Sequence, residues 1–150
     1  MRTAVVLGWP IEHSKSPQIM NAAFSATGIS AEMIRVGVPP EQFAAKLAEL
    51  RALPMLGASV TIPHKLAAHD LADELSPAAR AIGAVNCLEL RDGTLIGHNT
   101  DAPGFVDALP RKPHRVVLLG AGGAARAVAY GCKELGAEVA VVARTPASCT

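Results

Sequence analysis

Short apolar runs alternate with stretches of helical periodicity along most of this chain, and that alternation restricts the fold more than any other feature. Ala4–Leu7, Glu32–Val38 and Met55–Ile62 read as strands, and strands that alternate with helices form a largely parallel sheet with helices on its faces, an α/β fold. Pro17–Thr27 places Ile19, Ala22, Ala23 and Ala26 on one helical face and stops at Gly28. After Pro39-Pro40, a helix from about Glu41 to Leu53 repeats Phe43, Leu47 and Leu50 at the spacing of a buried stripe. A helical segment runs from His64 through Asp70 to Leu75, and Ser76-Pro77 starts another. Asp92-Gly93, between the β-prone stretches Ala84–Leu90 and Thr94–Gly97, signals a hairpin that breaks the strict alternation. A helix from Asp101 to about Leu109 leads into Pro110-Arg111-Lys112-Pro113, whose composition marks a domain boundary. A buried strand (Arg115–Leu119), a glycine loop, a helix (Ala124–Leu135) and a strand (Glu138–Ala143) then make one βαβ unit.

With half of 150 residues hydrophobic, the chain can bury a core without staples. Net charge is +1 and no Lys/Arg run exceeds two residues, which argues against a nucleic-acid or membrane-surface partner and leaves small molecules. Cys87, Cys132 and Cys149 have neither disulfide-framework nor metal-ligand spacing. The five histidines form no metal pattern either and read as surface residues or supports to neighbouring groups, so no metal site is expected. The apolar start is too short for a signal segment or a membrane span, and a soluble cytoplasmic protein is expected.

Chemistry-bearing residues stand at the strand ends. Gly8–Pro17 delivers two serine hydroxyls and a helix start directly off the first strand, with Ser16 as cap and Pro17 in the first turn, a turn suited to a carboxylate or phosphate. Alone, a Ser-x-Ser-Pro turn is an ordinary cap. Here Thr61-Ile62-Pro63-His64-Lys65, Asn86 and Asn99-Thr100-Asp101 also lie at strand ends, where open α/β sheets bind ligands. Asp101 can serve that crevice, cap the following helix, or do both. Gly120-Ala121-Gly122-Gly123-Ala124-Ala125 fits the dinucleotide fingerprint between a strand and a helix. The next strand ends at Ala143-Arg144-Thr145 instead of the acid that would hold a ribose 2′-hydroxyl, which favours NADP over NAD.

Taken in order, Gly8-x-Pro10-Ile11-x-His13-Ser14-x-Ser16-Pro17, Val60-Thr61-x-Pro63-x-Lys65, Gly83-Ala84-Val85-Asn86, Gly97-x-Asn99-Thr100-Asp101-x-x-Gly104-Phe105 and the glycine loop resemble the signatures of the shikimate dehydrogenase family. The resemblance implies NADPH-dependent reduction of 3-dehydroshikimate to shikimate, on the route to chorismate and the aromatic amino acids. It implies a substrate-binding catalytic domain over residues 1–104 and the first part of an NADP domain over 105–150, and it leaves room for a homodimer. Ser14, Ser16, Thr61, Asn86 and Asp101 would hold the ring carboxylate and hydroxyls, with Lys65 as the proton-transfer residue beside Asp101. Gly120, Ala121, Gly122, Gly123 and Ala124 would meet the pyrophosphate, and Arg144 and Thr145 the 2′-phosphate. Met20 stands where the family usually carries histidine, Ser59 where it carries asparagine, Cys87 for threonine, Pro77 for an acid and Ala143 for asparagine. The family continues past the position of Thr150, so these 150 residues alone are expected to bind cofactor weakly and turn over little. Rival readings are a quinate/shikimate dehydrogenase using NAD(P) and a non-catalytic ligand-sensing module on the same fold.

Overall fold

The computed structural model describes residues 2–145. Two sheets organise it. Strands β1 (Arg2–Gly8), β2 (Ala31–Gly37), β3 (Met55–Val60), β4 (Glu74–Leu75), β5 (Cys87–Arg91) and β6 (Thr94–His98) form one sheet in the order β2-β1-β3-β5-β6-β4. β1 pairs in parallel with β2 and β3, and β4 with β6; β5 runs antiparallel to both β3 and β6. β7 (Arg115–Leu119) and β8 (Glu138–Val142) form a separate parallel pair. The helices are α1 (Ser16–Thr27), α2 (Phe43–Arg51), α3 (Lys65–Leu71), α4 (Pro77–Ile82), α5 (Asp101–Asp107) and α6 (Gly123–Glu134).

β1 is the centre of the core, and its run Ala4-Val5-Val6-Leu7 is buried throughout because both faces are covered. Val5 and Leu7 join Phe43, Leu47 and Leu50 of α2, so the predicted stripe is core. Ala4 and Val6 join Met33 beneath α1. There the helix turns away from its expected face: Pro17 is buried, Met20 and Phe24 pack on the sheet, Ile19 is 66% exposed, and Ala22, Ala23 and Ala26 are exposed. Methionine and phenylalanine withdraw more apolar area from water than alanine methyls, and they decide the rotation.

Asp92 and Gly93 both have positive φ (50° and 80°), as the expected two-residue hairpin turn requires. The helix expected from His64 to Leu75 ends instead at Leu71. Asp73 N–H donates to Leu95 O at 2.9 Å and Ser76 N–H to Gly97 O at 2.9 Å, which draws Glu74–Leu75 into the sheet as β4. Those edge hydrogen bonds prevail over local helical periodicity. His64, expected at the surface or in support of a neighbour, is buried: its ring stacks on Phe43 with centroids 4.3 Å apart, and Nε2 lies 2.7 Å from Val38 O. α5 runs across position 104, and Ile82, Ala84, Ala102 and Ala127 pack as one cluster where α4 and α5 meet α6. β7, expected buried, alternates instead, with Val117 and Leu119 exposed because no described residue covers that face. No described helix is long and apolar enough to cross a membrane.

Candidate active site

Four polar segments meet at one end of the larger sheet for a topological reason. β1, β3 and β6 point the same way and end there, and antiparallel β5 begins there. The loop after β1 thus carries Ser14, with Ser16 opening α1, the loop after β3 carries Thr61, and the residue before β5 is Asn86; Lys65 opens α3 and Asp101 opens α5. The first two loops are joined by Thr61 N–H to Leu7 O at 2.9 Å and Trp9 N–H to Ile62 O at 3.0 Å. Thr61 lies so close over Gly8 that a Cβ there would stand 2.6 Å from its methyl.

Lys65 Nζ donates to Asp101 Oδ2 at 2.6 Å. Asn86 Nδ2 donates to the other carboxylate oxygen at 2.9 Å and to Thr100 Oγ1 at 2.8 Å, while Asn86 Oδ1 accepts Thr100 N–H at 2.8 Å. The lysine side chain is 12% exposed and the aspartate 30%, so the pair is sheltered but reached by solvent. A charge-assisted bond of this length in a sheltered place holds the ammonium in one direction. Asp101 is free for this work because it does not cap α5. Asn99, 5% exposed, accepts the N–H groups of Asp101 at 3.1 Å and Ala102 at 3.3 Å, and donates to Ala84 O at 2.9 Å. Thr100 holds the N-cap position without a side-chain bond, and Asn99 just before it serves the first N–H groups of α5, the capping work that Asp101 was free to do.

The serine turn also differs from its expected form. Ser16 is the first residue of α1 and not its cap; Ser14 Oγ accepts Ser16 N–H and donates to Ser16 Oγ, both at 3.3 Å. Arg35, which strand alternation gives no reason to single out, donates Nε and Nη2 to Ser14 O at 2.9 and 2.6 Å. Cys87 stands opposite Ser59 in the β3–β5 register, and burial together with Glu89 pushes its thiol above the ordinary range, which keeps it neutral.

The glycine loop abuts the lysine. A Cβ on Gly123 would stand 2.8 Å from Lys65 Cβ and 3.3 Å from Ala84 Cβ, so the start of α6 rests on the lysine stem. Gly120 has φ +112°, a conformation that favours glycine, and around Gly120 and Gly122 a Cβ would meet nothing within 4 Å. The first turn of α6 holds no acidic residue. This open backbone at a helix start fits a pyrophosphate. Gly120 N–H is bonded to Val142 O at 2.8 Å, two residues ahead of exposed Arg144, so the loop and the Arg144-Thr145 pair share one end of the β7–β8 ladder. A cavity of about 620 Å³ runs beside this loop, lined by Gly120, Ala121, Arg126 and Tyr130, and does not include Lys65.

A family model described as the shikimate dehydrogenase substrate binding domain matches residues 6–88. A shikimate dehydrogenase (NADP(+)) of Symbiobacterium thermophilum is 50% identical over 129 residues, covering 83% of this chain and 44% of that relative. One from Citrifermentans bemidjiense is 43% identical over 152 residues, covering 97% and 52%. The solved shikimate 5-dehydrogenase of Thermus thermophilus in complex with NADP(H) and shikimate superposes with a TM-score of 0.89 at 40% identity, covering 99% of this chain and 58% of its own. The chain thus spans about half the length of the curated relatives it matches. Since the matched segment is more than half of the chain and contains the Lys65 and Asn86 arms of the site, the chain belongs to the shikimate dehydrogenase substrate-binding domain family.

Proposed function

We propose that the complete polypeptide carrying this chain is an NADP-dependent shikimate dehydrogenase, with residues 1–104 holding the substrate and residues 105–150 beginning the cofactor domain. The observation that carries this is the Lys65–Asp101–Asn86 array, a cation aimed by a carboxylate that is itself fixed by an amide. Ser14, Ser16 and Thr61 offer hydroxyl partners, and Asn86 the remaining lone pair of its Oδ1, for a ring acid at the same sheet end. The backbone of Gly120–Ala124 would hold the pyrophosphate, and Arg144 with Thr145 the 2′-phosphate. NADPH, when bound there, supplies the hydride.

As a C–H bond forms at the ketone carbon of 3-dehydroshikimate, the π pair moves onto oxygen and negative charge grows there. Lys65 meets that charge as an ammonium and gives up one proton, so the oxygen becomes a hydroxyl and the lysine a neutral amine. Asp101 aims the Lys65 side chain before transfer, and the partial exposure of Lys65 lets water restore the proton. General acid catalysis of this kind contributes about 10²–10⁴-fold. The chain of 150 residues by itself is proposed to turn over poorly, because Val117, Leu119 and Val142 remain exposed in it.

Shikimate-dependent reduction of NADP⁺ by the complete polypeptide, with Lys65→Met alongside, tests the reading. Turnover by the native protein and its loss by at least about 10²-fold in the variant support it. Binding of shikimate without turnover leaves the ligand-sensing module, and a preference for quinate the sister activity.

A further inference from the structure

We infer that Arg35 is the positioning residue of a carboxylate subsite at the Ser14–Ser16 turn, an inference that rests on the function proposed above. The turn lies where the β1–α1 connection enters α1, and its side-chain bonds are long. Ser14 N–H reaches Ile11 O at 3.0 Å, and the two contacts of Ser14 Oγ with Ser16 are 3.3 Å long. Arg35 projects from β2 and ties this turn to the sheet through a two-pronged grip on Ser14 O at 2.9 and 2.6 Å. Nη2 also reaches Gln18 Oε1 at 3.1 Å in the first turn of α1. One planar guanidinium thus fixes both the serine turn and the helix behind it, a grip that lysine, with a single nitrogen, cannot reproduce.

The electrostatics point to an anion. Cations stabilise the C-terminal end of a helix, and α1 begins here, so Arg35 stands at the end where its charge opposes the helix dipole. Lys15 is the N-cap, and α1 has no acidic residue in its first turn. Arg35 takes part in none of the ion pairs among the described residues. A cation placed against a helix start and facing no carboxylate of its own leaves net positive potential around two hydroxyl donors. A carboxylate on a small ring acid meets all three requirements of that turn: charge, two acceptor oxygens and small size.

The test uses the complete polypeptide and the variants Arg35→Met, which keeps the stem but removes charge and fork, and Arg35→Lys, which keeps charge alone. Calorimetric titration with shikimate reads binding without turnover. We expect Arg35→Met to raise the shikimate KM and the dissociation constant about tenfold, the size of one charged hydrogen bond. Its kcat should stay within about twofold and its NADP⁺ KM unchanged. Arg35→Lys should recover part of the loss. An active native protein whose Arg35→Met form keeps its shikimate KM overturns the inference, as does a loss that falls on kcat and both substrates alike. A native protein that neither oxidises shikimate nor binds it in that titration overturns the function instead, and the subsite falls with it.

Discussion

Replacing Gly123 by alanine isolates the contact between the start of α6 and the lysine. The added methyl would stand 2.8 Å from Lys65 Cβ, 3.2 Å from Lys65 Cδ and 3.3 Å from Ala84 Cβ. Carbon atoms rest at about 3.5–4.0 Å, so the first contact alone demands a movement of about 0.7–1.2 Å. Rotation of the lysine side chain gives no relief, because Cβ is bonded to the α3 backbone and Ala84 is fully buried behind it. Either α6 lifts or α3 recedes. Overpacking of this kind costs about 1–3 kcal/mol, offset in part by the better helix propensity of alanine, which is about 1 kcal/mol at most. A net loss of up to about 3 kcal/mol in urea unfolding is expected. The catalytic loss should be larger in proportion: a displacement near 1 Å at a reacting group lowers rate by as much as about 10²-fold. The decisive comparison is with Gly122→Ala, whose methyl meets nothing within 4 Å and therefore burdens only a ligand approaching the loop. We expect Gly123→Ala to lower kcat and Gly122→Ala to raise the NADP⁺ KM. If Gly123→Ala keeps kcat within about twofold, or behaves as Gly122→Ala does, the contact with Lys65 does not govern the lysine and the reasoning is wrong.

Three further outcomes follow from single contacts. Asp101→Asn removes the charge that Lys65 faces while leaving an amide able to meet Asn86, so kcat/KM should fall by about 10²-fold or more with little change in the unfolding midpoint; a kcat/KM kept within about twofold would count against the pairing. Asn99→Ala removes the α5 cap and leaves Ala84 O without its donor, which should lower stability by about 1–3 kcal/mol in urea unfolding. Asp73 is held below its ordinary carboxylate value, first by the Leu95 N–H and then by Arg51, against some desolvation. A group depressed in the folded state contributes its stability above the unfolded value of 3.8 and loses it as pH falls from there, so Asp73→Asn should flatten the acid side of the stability curve and leave its slope near neutrality unchanged.

What could be read from the chain divides by how local the deciding interaction is. Phe43, Leu47 and Leu50 reach the core by their spacing alone, and Asp92-Gly93 makes its turn by backbone preference alone. Both needed only neighbours in sequence. α1 failed because alanine is compatible with either face, so its rotation waits for Met20 and Phe24 to find Met33 and Val6 across the sheet. β4 has two residues, too few for any period, and exists because Leu95 and Gly97 present free edge groups.

The same division separates the chemistry from its supports. Lys65, Asn86 and Asp101 are far apart in sequence, yet they were legible, since strand ends in such a sheet converge and the motif spacing matched a family. The sequence could not say which of Asn99, Thr100 and Asp101 caps α5; that depended on burial at Ala84, which turns Asn99 inward and leaves Asp101 outward for the lysine. Arg35 was invisible for a stronger reason. An exposed arginine on an edge strand has no local signature, and only the path of the β1–α1 connection brings Ser14 O within its reach. Its partner is a backbone carbonyl, a group every residue carries, so neither end of the contact marks itself in the sequence. Side chain-to-backbone contacts such as that of Arg35 with Ser14 O are therefore the feature here for which sequence pattern carries least information and three-dimensional contact the most.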